Sequence, residues 1–209
     1  VYSPGRYTVS VDFYVLEIED AVQGRDPGDV ITACVNTLDP FFCNAVERAS
    51  SGLINLVDNQ LQNIGGIEAS GLDLGFNWRG TEHGWGRLDF GVSATTLDDY
   101  IELTRNAHGS LSRNDRTGTV TNETFQRAFP ELKAVGTVDW SRNQWRTGMT
   151  VRFVDSVTQD SGNELSSRTF IHVSAQYTMP YSDNAATFVI GINNILDENP
   201  ATCDSCGVI

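Results

Sequence analysis

The chain has 209 residues, with 14 Lys and Arg against 27 Asp and Glu and a formal net charge of −13. Phosphate binding needs Lys and Arg gathered on one face, so this balance argues against nucleic acid as a partner. The surplus carboxylate reads first as solvated loop surface. No stretch approaches the roughly 20 apolar residues of a membrane-crossing helix, and no signal-peptide pattern opens the chain; 209 residues are enough for one β domain or part of a larger one.

Val1-Tyr2-Ser3-Pro4-Gly5 reads as a turn running into a first strand, about Arg6 to Ile18. Its Tyr7, Val9, Val11, Phe13 and Val15 fall on one face, and Thr8, Ser10, Asp12 and Tyr14 on the other. A long irregular segment follows from Glu19 to about Ser51. Within it, Asp39 as N-cap and Pro40 at the first helical position predict a helix continuing from Phe41 to Arg48. The chain returns through Leu53–Leu61 and Ile67–Trp78, where Leu72, Leu74, Phe76 and Trp78 oppose Gly71, Asp73, Gly75 and Asn77. After a short turn at Gly80–Gly86, the strand from Arg87 to about Tyr100 sets Leu88, Phe90 and Val92 against Asp89, Gly91 and Ser93. A long polar loop, Thr104 to Ala128, leads into Phe129–Ser141, with Val138 and Trp140 against Thr137 and Asp139. A tight turn then gives Trp145–Phe153, whose polar face carries Arg146 and Arg152. The loop Asp155–Ser167 precedes Arg168–Met179, with His172 and Gln176 on its polar face, and Pro180–Asn184 turns into the last strand around Thr187–Ile192.

Strands that are apolar on one face and polar on the other, long enough to cross a bilayer, are the pattern of an all-β transmembrane antiparallel barrel. The loops alternate long and short, which places the turns near 4, 83, 142 and 182 at the periplasm and the loops near 35, 115 and 160 outside. On that topology Trp78, Trp85, Trp140, Trp145 and Tyr181 all fall at the periplasmic end, where an aromatic girdle belongs. Seven spanning strands is an odd count, single-chain bacterial barrels close with an even one, and no strand follows Ile209. The chain therefore reads as one arc of a larger barrel. Two other architectures compete. One is a secreted soluble β-sandwich that binds carbohydrate, with its apolar faces packed on each other. The other is a small outer-membrane barrel acting as an adhesin or structural protein.

The four cysteines form two close pairs, Cys34 with Cys43 and Cys203 with Cys206. In an oxidising compartment both read as disulfides stapling outer loops. A metal site is the rival, and it lacks the second C-x-x-C or His pair that zinc would need.

Three stretches resemble the C-terminal part of the barrel of TonB-dependent outer-membrane receptors. Asn63-Ile64-Gly65-Gly66 through Gly71-Leu72-Asp73 is similar to a descending strand of that family. Phe129-Pro130-Glu131-Leu132-Lys133 through Trp140 is similar to a second strand and its turn. Gly191-Ile192-Asn193-Asn194-Ile195-Leu196-Asp197-Glu198-Asn199-Pro200 resembles the family's near-terminal motif, the most specific of the three. The Cys34–Cys43 loop, with Phe41 and Phe42, looks like a disulfide-bearing outer loop of the family. The resemblance implies a 22-stranded barrel in the bacterial outer membrane, of which residues 1–209 supply about seven strands without the plug domain or the final strand. It also implies TonB coupling through an N-terminal region not included here, contact with outer-membrane lipid, and a small-molecule nutrient as ligand.

No constellation for catalysis stands out, and neither a metal nor a cofactor is expected. Asp98-Asp99 is a paired carboxylate at a strand end and reads as solvated rim rather than an acid/base pair. Asp12, Asp73, Asp89, Asp139, Arg152 and His172 are expected to line the barrel lumen. Ligand recognition falls more naturally to the outer loops. There Arg105, His108, Arg113 and Arg116 are the candidates for holding an anionic ligand.

Overall fold

The computed structural model describes residues 1–2, 5–23, 27–58, 62–105, 111–120, 127–159, 161–181 and 184–201. In chain order, β1 (Tyr7–Gln23) is followed by α1 (Pro27–Thr37), α2 (Pro40–Cys43), β2 (Val46–Arg48) and β3 (Ile54–Val57). Next come β4 (Gln62–Arg79), β5 (Arg87–Arg105), β6 (Leu111–Asp115) and β7 (Thr119–Val120). Then follow β8 (Leu132–Arg142), β9 (Trp145–Val154), β10 (Val157–Gln159), β11 (Glu164–Leu165), β12 (Arg168–Tyr181) and β13 (Asn184–Ile192).

Seven of these strands form one antiparallel meander in the order β1-β4-β5-β8-β9-β12-β13, with β6 pairing the outer half of β5. Side-chain alternation and register together decide what each face carries. Tyr7, Trp78, Phe90, Val138, Met149, Val173 and Ile192 stand in one row across all seven strands. The adjacent row, Thr8, Asn77, Gly91, Thr137, Thr150 and His172, points to the opposite face. The apolar face is bare: Phe13 is 68 % exposed and Ile190 69 %. Among the described residues no second sheet covers it, so a sandwich with its apolar faces packed together is not this fold. The sheet is an arc of a β-barrel.

The turns at one end are short. β8 and β9 are joined by Asn143 and Gln144 alone, with Asn143 at φ +51°, the left-handed backbone that a two-residue hairpin turn demands. The aromatic residues gather at this end. Trp78 lies 5.5 Å from Phe90, Trp145 lies 4.7 Å from Tyr177, and the Trp140 indole donates to the Trp85 carbonyl at 3.0 Å.

The other end carries more structure than alternation predicts. β1 continues to Gln23, past a bulge beyond Ile18, and the expected irregular segment contains an eleven-residue helix. The helix begun at Pro40 stops at Cys43, and Val46–Arg48 is a strand. β4 begins at Gln62 and β5 runs to Arg105, both longer than expected, and the two outer loops near 115 and 160 contribute β7, β10 and β11 to a separate small sheet. Among the described residues no helix is long and apolar enough to cross a membrane.

A bulge divides the wall. Ser70 pairs with Asp99 but Gly71 pairs with Leu97, so β5 holds one extra residue, Asp98. Side chains take over the bonds that the ladder loses there. The Leu72 N–H donates to Thr96 Oγ1 at 3.2 Å, and the Tyr14 hydroxyl, reaching across from β1, donates to the Thr96 carbonyl at 3.1 Å. Gly71 makes this possible, because a Cβ there would collide with both the Tyr14 ring and the Thr96 carbonyl. Gly71→Val therefore destabilises the sheet by about 1–3 kcal/mol, as overpacking does. Tyr14→Phe, which leaves the Thr96 carbonyl unmet, costs about 1–3 kcal/mol. Urea unfolding of the barrel in detergent or vesicles, followed by tryptophan fluorescence, measures both.

Candidate functional site

β4 and β5 run 18 and 19 residues, whereas a tilted strand crosses a bilayer in about 9–11. Counted up from Trp78, that distance ends near Glu68 and Ser70, so the outer ends of these strands stand above the apolar band. The bulge at Asp98 reverses the alternation of β5. Below it Asp89, Gly91, Ser93 and Thr95 share the polar face, and above it Tyr100 and Glu102 do, opposite Ala69 and Ile67.

Glu102 is the centre of the outer wall. Its side chain is only 6 % exposed, and two cations from the following loop close on it. Arg116 Nε donates to Oε2 at 3.0 Å and Arg127 Nη2 donates to Oε1 at 2.7 Å. The Arg127 guanidinium lies 5.6 Å from the centre of the Phe129 ring, and Phe129 stacks on Tyr100 at 4.3 Å. Backbone bonds seal the contact: the Tyr100 N–H donates to Thr117 Oγ1, and the Arg116 N–H donates to the Tyr100 carbonyl, each at 2.8 Å. Burial raises the pKa of the Tyr100 phenol. β7 pairs with β10 in parallel and β10 with β11, burying Val120, Val157 and Gln159. The loops after β5 and β9 are thus one hydrogen-bonded cover fastened to the polar face of the wall.

Arg113 lies on the other face. It forks onto Glu68 with bonds of 2.9 and 2.6 Å, bridging β6 to β4 across β5. These bonds hold the Glu68 carboxyl below its ordinary range and raise the Arg113 guanidinium further above its own.

A third outer element is the helical pair α1–α2. Cys34 and Cys43 are joined by a disulfide, Val30 and Phe42 are buried beside it, and Asp39 caps α2 by accepting the Phe41 N–H at 2.8 Å. The capping pattern around Asp39 was legible in the chain; α1 was not.

On the polar face below the bulge, Asp12 pairs in register with Asp73, which accepts from Thr95 Oγ1 at 2.6 Å, and Asp89 pairs with Asp139. Asp89 also accepts from the Gly80 N–H and from Arg87 Nε, both at 3.1 Å. A polar depression of about 400 Å³ opens at this end, bounded by Arg6, Asn77, Arg79, Asp89, Thr137 and Asp139. Arg152 and His172 lie on the same face of β9 and β12. The near-terminal Gly191–Pro200 stretch folds back against β12. Asn194 closes a ring on the Glu198 backbone through bonds of 2.9 and 3.0 Å, Glu198 accepts from Arg168 at 2.8 Å, and the Asn194 N–H reaches His172 Nδ1 at 3.4 Å.

Of the outer cations expected to act together, Arg113 and Arg116 are described on opposite faces of the wall and each is bonded to a glutamate. Arg105 ends β5, where its backbone pairs with Leu111. His108, Cys203 and Cys206 lie outside the described residues. Glu102, which organises the cover, was missed, because unbroken alternation from Arg87 would send its side chain to the apolar side. Glu102→Gln removes the charge that both arginines share, and loosens the cover by about 2 kcal/mol, less than a fully buried pair because the arginines are partly solvated. Limited proteolysis checks this: the variant is cut within residues 116–129 under conditions that spare the parent protein.

Residues 1–195 match the family described as TonB dependent receptor-like, beta-barrel. No curated protein matches the chain. The match takes in the whole seven-strand meander, from the first apolar row at Tyr7 to the Asn194 turn. The family is one of outer-membrane receptors and transporters rather than enzymes. The chain belongs to the TonB-dependent receptor-like β-barrel family.

Proposed function

We propose that residues 1–209 supply seven consecutive strands towards the C-terminal end of a 22-stranded receptor barrel. The receptor takes up a scarce nutrient by active, TonB-coupled transport. The observation that carries this reading is the single meander with one continuous bare apolar face, a polar face opposite, short turns at one end and long folded loops at the other. A bilayer covers the apolar face, and the polar face lines the lumen with Asp12, Asp73, Asp89, Asp139, Arg152 and His172. The depression around Arg6, Arg79, Asp89 and Asp139 suits a polar plug segment at the periplasmic mouth. The disulfide-bonded helical pair and the cover over Glu102 form part of the outer, ligand-meeting surface.

The ligand is a small nutrient: an iron chelate, a carbohydrate or another organic compound. Within the outer loops, Arg116 is better placed than Arg113 to meet an anionic ligand, since it stands on the lumen side. Cells producing the complete receptor accumulate a labelled member of a panel of ferric chelates and oligosaccharides, and an uncoupler abolishes accumulation while leaving surface binding intact. Accumulation that survives the uncoupler would make the protein a passive pore. If the ligand is anionic, replacing Arg113 and Arg116 together by Ala lowers its uptake at least about tenfold, near the lower end of the 1.5–3 kcal/mol of a charged hydrogen bond; unchanged uptake removes these residues from recognition.

A further inference from the structure

The apolar face is not uniform. Near its short-turn end Thr147 and Ala175 are neighbours in register, and both are small, whereas the side chains around them are large. Trp140 flanks Thr147 on one side and Ile190 flanks Ala175 on the other, with Met149 and Val173 in the next row up. The result is a depression of about 500 Å³ in a face that is otherwise a continuous apolar surface. Its lining runs over two rows of the register, about 7 Å along the strands. At roughly 30 Å³ for a group the size of a water molecule, the space holds on the order of ten methylene groups.

A charge stands at the lower rim. Even-numbered residues of β8 point to the apolar face, and the last of them, Arg142, lies beyond Trp140 and opposite Trp145. It is exposed, and among the described residues no ion pair or hydrogen bond engages it. It is also the one charged side chain that the described strands place on the apolar face at this end. Other charges on that face, among them Glu17, Glu68, Asp99, Arg113 and Asp115, lie at the outer end. An unpaired cation beside hydrocarbon is costly except at the level of the lipid headgroups, where phosphates can meet it.

We propose that this part of the barrel wall is a binding site for one phospholipid of the inner leaflet. Its phosphate sits at Arg142, and one acyl chain lies in the depression over Thr147 and Ala175, between Trp140 and Ile190. The proposal rests on the reading that the apolar face meets a bilayer with the short turns at the periplasm. Bulk lipid is as apolar as these side chains, so burial alone does not select a lipid here. Selection comes from dispersion contacts in a slot of chain width together with the charge-assisted bond to the phosphate. The two parts act on one molecule because they lie two residues apart on one strand face.

The test uses the complete receptor, extracted in mild detergent, stripped of lipid and returned to phosphatidylglycerol. Lipid retained per protein is then counted by native mass spectrometry over a series of detergent concentrations. Arg142→Gln removes the charge and Ala175→Leu fills the slot. Arg142→Gln lowers retention about fivefold, the effect expected of one basic side chain at a membrane surface, and Ala175→Leu lowers it by occupying the space of the acyl chain. Combining them lowers it no further than the loss of one site. Retention equal to the parent in both variants, or no retained lipid in the parent, overturns the proposal. Insertion into phosphatidylglycerol vesicles and heat-modifiable gel mobility are recorded for the same samples. A parent protein that inserts but retains no lipid loses only this site, whereas one that fails to insert loses the membrane reading as well.

Discussion

A strand in hydrocarbon has no water to satisfy its backbone, so each N–H and C=O must be met by the strands on either side. The order β1-β4-β5-β8-β9-β12-β13 does this for the five inner strands through antiparallel ladders between chain neighbours. The same ladders hold the faces in place. Because side chains alternate with a period of two, slipping any one strand by a residue would carry Met149 or Val173 to the polar face and Thr150 or His172 to the apolar one. Register is thus doubly specified, by hydrogen bonds and by the medium each face meets. The two-residue turn at Asn143 and the aromatic contacts beside it pin that register at the end where the chain reverses most tightly.

The demand relaxes above the bilayer, and the structure changes character at that height. The bulge at Asp98 is tolerable because Tyr14 and Thr96 supply the bonds that the ladder loses, over a glycine that leaves room for the tyrosine ring. Its consequence is a change of parity. Below it the apolar face of β5 carries Leu88, Phe90 and Val92; above it the same side receives Asp99, Ile101 and Leu103, while Tyr100 and Glu102 turn to the polar face. One inserted residue brings a carboxylate to the side where Arg116 and Arg127 arrive, and leaves Glu68 to Arg113 on the other. The cover fastened at Glu102 and the bridge from Arg113 to Glu68 both follow from it.

Alternation was enough to find all seven spanning strands and their faces, because burial in lipid imposes the period-two pattern on each one separately. Thr147–Phe153 and Ile171–Tyr177 could be read without knowing their partners. The aromatic cluster at the short-turn end was legible for the same reason. What lies above the bilayer answers to different physics. α1 has no apolar stripe against a core of its own size, and it is held by a disulfide and by Val30 and Phe42. Helix propensity at Phe41–Arg48 yields after Cys43 because Val46 and Arg48 find a strand partner in Ile54–Val57. The orientation of Glu102 could not be read from alternation at all. The Asp98-Asp99 doublet that breaks the pattern is the site of the bulge; its side chains accept from Thr96 and Ser70 hydroxyls and act as local props for the backbone.

The division of labour follows from where groups are already committed. On the wall, backbone pairing and the two media leave little freedom, and side chains such as Asp73 and Asp89 are engaged with Thr95, Arg87 and the Gly80 amide. The outer segments are tied down at a few points only: a disulfide at Cys34–Cys43, a forked carboxylate at Glu102, a ring of bonds around Asn194. Between those fastenings, loop sequence can change without disturbing register, turns or the apolar rows. A barrel built this way can keep one wall while its outer segments vary, since their anchoring residues are few and lie above the height at which hydrocarbon dictates the sequence.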